Sequence, residues 1–545
     1  MPTHEVLNQP PPLADYDLFR TDRALAEATG REGAGWAEAE LALLGARLGR
    51  AETIELGRAA NRNPPELRAF DRYGNRLDRV DFHPAWHELM ALGISAGLHA
   101  APWAEPRPGA HVARAAGVIM LVQVESGVQC PITMTYGSVP ALRQAGPVVA
   151  EWLPRIFSRR YDPSFRPAAE KSGVLLGMGM TEKQGGSDLR TNTTLAVPEA
   201  TGGPGAPYRL TGHKWFMSAP MCDAFLVLAQ APGGPSCFFV PRWTPDGRPN
   251  ALYLQRLKDK LGNRSNASSE VELDGAFALL VGEEGRGIPT ILEMGNYTRL
   301  DCALGSAGLM RQAVAQAMHH AAHRTAFQRK LVDQPLMARV LADLALESEA
   351  ATALALRLAR AYDGADDPQE TAFRRLVTPA AKYFICKRGL AVTGEAMEVL
   401  GGNGYVEESI MPRLYREAPV NSIWEGSGNV MCLDVLRAFA RSPHAAAALR
   451  AELAAARGGD ARLDRFAGAL ESELGAAGGA EGNARRLVER LVLALQAALL
   501  LRHAPTAVAD AFCASRLAGD WGHALGTLPA GCGERAIIDR ATPIR

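Results

Sequence analysis

At 545 residues the chain has room for roughly three or four domains and for burying a large cofactor. Hydrophobic residues at 47% and charged residues at 22% are ordinary globular usage, which excludes a disordered chain. Lys+Arg and Asp+Glu are equal at 59 each, so no global positive field points to nucleic acid, and any DNA contact must come from a local basic patch.

The first 172 residues carry helical signatures such as WAEAELALLGARLG and WHELMALGISAGLHA, broken by Pro-rich loops at QPPPL and NPPELRAFDRYGNRLD. The opening residues lack a basic stretch followed by an apolar one, so no secretory signal is expected. From about Gly173 to 285 the texture changes to short alternating or β-branched runs (YRLTGHKWFMS, AFLVLAQA, SCFFVPRW, SSEVELDGAFALL), which predict a small antiparallel β domain. Helical periodicity returns over 286–440 as a bundle. Residues 441–545 form an Ala-rich appended helical segment divided by a linker, GAAGGAEGN. The longest apolar run, Leu491 to Leu501, is too short to span about 30 Å of hydrocarbon. The eight cysteines show neither C-x-x-C pairs nor zinc-ligand spacing and read as reduced thiols, so no metal is expected. A cytoplasmic α+β protein, mainly α, is the expectation.

Four segments combine glycine with hydroxyls, aromatics or a carboxylate. In Met178-Gly179-Met180-Thr181-Glu182-Lys183-Gln184-Gly185-Gly186-Ser187-Asp188 the glycines allow backbone N–H groups to approach an anion, and Thr181 and Ser187 add donors. Gly212-His213-Lys214-Trp215-Phe216-Met217-Ser218 offers aromatics that can pack on a flat ring and a hydroxyl for its edge. Gly401-Gly402-Asn403-Gly404-Tyr405 is a glycine-rich turn ending a helix. Trp424-Glu425-Gly426-Ser427-Gly428-Asn429 sets a carboxylate among apolar groups, where a raised pKa suits a general base. Taken singly, the first, second and fourth read sooner as an ordinary glycine turn, a core strand and a solvated helix start.

Their order and spacing resemble the acyl-CoA dehydrogenase superfamily over roughly residues 80 to 440, and Arg324-Thr325-Ala326-Phe327 with Gln334 resembles a fifth element of the same pattern. The resemblance implies a helical N-terminal domain, a central β domain and a C-terminal four-helix bundle, assembled as a homotetramer with FAD at subunit interfaces. It implies that Met178, Met180, Thr181, Gly186, Ser187, Phe216, Met217 and Ser218 contact the flavin and its phosphates, with Trp424, Ser427 and Asn429 beside them. Arg324, Phe327, Gln334, Gly401 and Gly402 are implied to hold the ADP half from a neighbouring subunit. Glu425 falls on the family's catalytic base, which removes the α-proton of an acyl-CoA thioester as the β-hydrogen leaves as hydride. A family subset that includes isovaleryl-CoA dehydrogenase places its base just before an arginine, which here is Thr298 before Arg299. The chain departs from the pattern at Lys183, where Pro is usual, at Glu398 for Gln, and at Gln328 for the glycine after Phe327.

LNQPPPL, REGAGW, CPITMT, QRLKDKLGNRSNAS and RLYREAPVNSIWEGSGNVMCLDVLR look specifically like the AidB-like branch. That branch implies binding of double-stranded DNA through the appended C-terminal domain, a role in the response to DNA alkylation, and weak acyl-CoA dehydrogenase activity of isovaleryl-CoA type. Arg437, Arg441 and Arg516 are the expected DNA contacts, although residues 441–545 carry 13 Arg against 11 Asp+Glu, a thin footprint. The alternative is a catabolic short- or branched-chain acyl-CoA dehydrogenase whose tail serves oligomerisation.

Overall fold

The computed structural model describes residues 3–476 and 481–543; residues 477–480 of the Gly-rich linker lie outside them. Its contacts divide the chain into two compact units, Met1–Ile54 with Arg107–Val124 and Cys302–Arg545, and Glu55–Pro106 with Glu125–Asp301. Packing therefore does not follow four consecutive segments. The helical start of the chain is shared between the units because the helix Ala110–Val124 buries nearly every side chain and packs on a helix of the 335–363 region.

The second unit is built on strands. A hairpin of β1 (Glu66–Phe70) and β2 (Arg76–Asp81) comes first. The main sheet contains β3 (Leu176–Gly179), β4 (Leu195–Pro198), β5 (Pro207–Ser218), β6 (Ala224–Ala231), β7 (Gly234–Pro241), β8 (Leu252–Leu257) and β9 (Ser268–Val281). Antiparallel pairing runs from β6 through β7, β9 and β5 to β4. It returns to β6 through parallel contacts from β4 and β3, so the sheet is mixed rather than antiparallel throughout. The near-continuous apolar β6, AFLVLAQA, is buried along almost its whole length, as expected of a strand paired on both edges.

The first unit is helical. Its long elements are α1 (Gly287–His323, counted with this unit from Cys302), α2 (Pro335–Asp363), α3 (Pro368–Val399), α4 (Gly428–Arg441) and α5 (Ala484–His503). The start of α3 shows why they begin where they do: Pro368 fixes φ in the first turn, and the Asp367 carboxylate accepts from the Gln369 N–H at 2.8 Å. The appended segment packs with this bundle: α5 lies on α2, α3 and α4, and the helix Glu534–Ala541 lies on α2. No described helix is long and apolar enough to cross a membrane. All eight cysteines are buried, and the described residues contain no His, Cys, Asp or Glu cluster able to hold a metal ion.

Candidate functional site

The loop after β3 is held by one buried ion pair. Lys214 Nζ lies 2.6 Å from Glu182 Oε1, both side chains are fully buried, and the ammonium also donates to the Leu228 carbonyl at 2.7 Å. Glu182 further accepts from the backbone N–H groups of Thr193 (2.6 Å) and Thr194 (3.2 Å). Burial opposes ionisation of Glu182, yet Lys214 and these donors outweigh it and hold the carboxyl at about 2. Burial pulls the Lys214 ammonium down to about 8, with Glu182 countering it.

This clamp fixes one loop against one strand. The Trp215 N–H donates to the Thr181 carbonyl at 2.8 Å, and the Met180 carbonyl accepts from Asn192 Nδ2 at 2.9 Å. Met178 and Thr181 are half-buried, whereas Gly186 and Ser187 are exposed. A Cβ at Gly186 would stand 2.5 Å from Thr181 Oγ1, so any side chain there would have to displace Thr181. On β5 the register against β9 slips between Lys214 and Met217, so Trp215 and Phe216 together face Glu270. Such a bulge re-aims side chains, and Phe216 is left half exposed. Met217 instead points into the core, wholly buried, which removes its side chain from the expected flavin contacts. Ser218 Oγ lies 3.2 Å from Ser268 Oγ. Lys258, which sequence reasoning missed, sets its ammonium 3.3 Å from the Trp215 ring centre and 4.7 Å from that of Phe216.

In the helical unit, Thr325–Ala326 and Arg329–Lys330 form a hairpin, β10 and β11, closed by Phe327 and Gln328. Both tip residues have positive φ, 50° and 63°, the geometry of a two-residue turn that glycine favours. The tip holds Phe327 almost entirely in the open. Gln334 Nε2 donates to the Ala326 carbonyl at 2.9 Å and so braces the hairpin. Arg324 donates to the Asn8 carbonyl at 2.7 Å, Thr325 and Asn8 exchange two bonds, and Asn403 Nδ2 reaches Gln9 at 3.0 Å. The N-terminal peptide thus ties the hairpin to the Gly401–Gly402 turn. Gly401 has φ +59°, and a Cβ on either glycine would point into open space.

Glu425 sits at a second tight turn. It has φ +58°, is half-buried, and is followed by Gly426 at φ +105°. The wholly buried Lys382 of α3 donates to the Gly426 carbonyl. Ser427 occupies the N-cap of α4 without a side-chain capping bond, Gly428 is pressed against the Tyr383 ring, and Asn429 Oδ1 accepts from Arg485 Nε at 2.8 Å. The buried Trp424 indole N–H has no hydrogen-bond partner among the described residues. At the alternative base position, the Thr298 hydroxyl donates to the Gly295 carbonyl at 3.0 Å.

The three arginines expected on DNA part company. Arg437 and Arg441 are exposed on α4 and form no ion pair among the described residues; Asp434, one turn away, receives Arg375 at 2.8 Å. Arg516 is buried, with its guanidinium against Asp343 and 2.8 Å from Glu347. It is an internal clamp, which takes it off any surface a duplex could touch.

Residues 8–163 match the family model of the adaptive response protein AidB N-terminal domain, 177–276 that of the acyl-CoA dehydrogenase middle domain, and 285–440 that of its C-terminal domain. The chain is 52% identical to AidB of Escherichia coli (strain K12) over 513 residues, 94% of each chain. The protein belongs to the acyl-CoA dehydrogenase family, in its AidB-like branch. Among solved structures, Caenorhabditis elegans ACDH-11 in complex with C11-CoA superposes with a TM-score of 0.85 at 27% identity, covering 95% of this chain and 94% of that one. An acyl-CoA dehydrogenase complexed with FAD from Bacillus anthracis shares the fold, with a TM-score of 0.67 at 19% identity over 85% of this chain and 87% of that one.

An acyl-CoA dehydrogenase of this kind is an FAD-dependent oxidoreductase, and the residues present fit that cofactor. The β unit offers an open loop kept free of side chains at Gly186, neutral hydroxyl and backbone donors, and the exposed Phe216 ring, which together suit the uncharged edge and flat face of a flavin. The helical unit offers the Phe327 tip, the open Gly401–Gly402 turn and the unpartnered Trp424 N–H. Lys382 was missed by motif reading, although it stands as a lone cation in the apolar run LVTPAAKYFIC; Lys214, Asn8 and Gln9 lay inside quoted motifs without a positioning role read for them.

Proposed function

We propose that this acyl-CoA dehydrogenase oxidises an acyl-CoA thioester weakly, with a short branched (isovaleryl-type) acyl group, and that it binds double-stranded DNA as part of a response to alkylation damage. Met178, Met180, Thr181, Gly186, Ser187, Phe216 and Ser218 would hold the flavin, with Trp424, Ser427 and Asn429 beside it. Arg324, Phe327, Gln334, Gly401 and Gly402 would hold the ADP half across a homotetramer interface. When bound, FAD supplies the two-electron acceptor. Glu425 takes the α-proton of the thioester; its half-buried place on a turn of positive φ keeps the carboxylate from full hydration, and that placement carries the catalytic reading. The C11-CoA ligand of the C. elegans relative supports an acyl-CoA as the substrate class.

The DNA reading rests on Arg437 and Arg441, four residues apart on one exposed face of α4 and without ion pairs among the described residues, together with the exposed Arg486 on α5. Two experiments test the pair of readings. Anaerobic addition of isovaleryl-CoA should bleach the flavin of the wild type, and Glu425→Gln should keep FAD yet fail to bleach; normal bleaching by that variant would unseat Glu425. Duplex binding should weaken with salt by a log–log slope of about −0.9 per phosphate neutralised, and Arg437→Glu with Arg441→Glu should reduce both affinity and slope. A second reading, a catabolic dehydrogenase with a stabilising tail, draws on the close packing of the helices Pro443–Ala454, Ala484–His503 and Glu534–Ala541 onto the bundle of α2, α3 and α4. Absence of duplex binding at low salt would favour it.

A further inference from the structure

The strongest unexplained feature of the helical unit is Lys382. Its side chain is wholly buried in α3, it forms no ion pair among the described residues, and its one hydrogen-bond partner among them is the Gly426 carbonyl. Burying an ammonium is costly unless it is well hydrogen-bonded, so a lysine in this place needs a compensating role. That carbonyl belongs to the peptide between Gly426 and Ser427, directly after Glu425. Glu425 and Gly426 both have positive φ, 58° and 105°, and for a non-glycine residue this conformation costs on the order of 1 kcal/mol or more. The Met431 side chain packs close against Gly426, where an added Cβ would lie 2.5 Å from its Cε. Two further anchors hold the same loop from neighbouring helices: the Tyr383 ring of α3 against Gly428, and Arg485 of α5 on Asn429.

We infer that Lys382 is a positioning residue for the catalytic carboxylate: its charge-assisted bond to Gly426 keeps the Glu425–Gly426 turn in the left-handed conformation that aims Glu425. The lysine touches neither substrate nor cofactor in this account. It acts through one backbone carbonyl, which is why its charge is used as a strong donor rather than in an ion pair. The inference rests on Glu425 being the base, and the test separates the two ideas.

Lys382→Met, of similar length but without donors, is compared with the wild type in two assays. Hydrogen–deuterium exchange on the FAD-loaded protein is followed in the peptide spanning residues 421–429, with the β unit as the internal reference. Exchange at 424–428 should accelerate on the order of tenfold while the reference stays unchanged. The rate constant of thioester bleaching should fall on the order of 10- to 100-fold with the thioester dissociation constant little changed, because misplacing a base costs the chemical step rather than binding. Unchanged exchange at 424–428 overturns the inference, as does a rate loss that only follows loss of FAD or of global stability. If the wild type itself fails to bleach, the proposed thioester oxidation is at fault, and the exchange arm still decides whether Lys382 holds the turn. Lys382→Gln, neutral but able to donate, is the second variant should the methionine not fold, and it should fall between the two in exchange.

Discussion

Lys214→Met is the sharpest probe of how the loop after β3 is held. The substitution leaves the Glu182 carboxylate fully buried, with only neutral donors from Thr193, Thr194 and Gln184 around it. Removing one partner of a buried pair costs about 3–5 kcal/mol, because the survivor remains charged and desolvated. The acidity of Glu182 leads to a similar figure. Its carboxyl is held at about 2 against an ordinary 4.5, a difference worth at most about 3–4 kcal/mol. Because the folded value lies below the unfolded one, this contribution is complete above pH 4.5 and is lost as pH falls toward 2. Scanning calorimetry of the FAD-loaded protein at pH 7 should show the β unit melting on the order of 10 °C lower in Lys214→Met, with FAD released more readily. The double variant Lys214→Met, Glu182→Gln should regain much of that loss, and the wild type should lose Tm between pH 4.5 and 3 more steeply than the double variant. A single variant that melts within about 2 °C of the wild type and keeps its flavin would mean that backbone bonds alone fix the loop, and the argument from charge would be wrong.

Arg516→Met should behave as a core lesion rather than as a DNA-binding variant. It strands Asp343 and Glu347 in the interior, though Arg388 still reaches Glu347 at 3.0 Å, so a stability loss of about 3 kcal/mol is expected, whereas Arg437→Glu should leave Tm unchanged. Thermal melts of the two variants beside duplex titrations read this directly, and a stable Arg516→Met with selectively weakened DNA binding would contradict it. Gly186→Ala drives a methyl to 2.5 Å from Thr181 Oγ1; purified protein should carry much less FAD while its helical unit melts normally, and full flavin occupancy would refute the close approach inferred there.

Local chemistry was legible in the sequence wherever a motif supplied its own geometry, and illegible wherever the partner lay far along the chain. The run AFLVLAQA reads as a buried strand without help, but its parallel neighbour Leu176–Gly179 lies more than forty residues upstream, and side-chain alternation carries no record of which strand pairs with which. The departure at Gln328 is now intelligible: it sits at φ 63°, where the family's glycine would be relaxed, so the chain keeps the turn shape and bears the strain, with Gln334 and Asn8 bracing the hairpin. Arg516 is the opposite case. An arginine in the Ala-rich tail looks like a solvated charge until the fold brings Asp343 and Glu347, some 170 residues earlier, onto its guanidinium. The same burial changes the meaning of the thin positive balance of residues 441–545. Arg516 and Arg540 are held on carboxylates within the fold, so the proposed duplex contact would fall to the exposed arginines, Arg437, Arg441, Arg457, Arg465 and Arg486 among them. If the proposed duplex binding takes place in a multi-subunit assembly, patches aligned from several subunits would steepen its salt slope, so that slope would report on the assembly as well as on the surface.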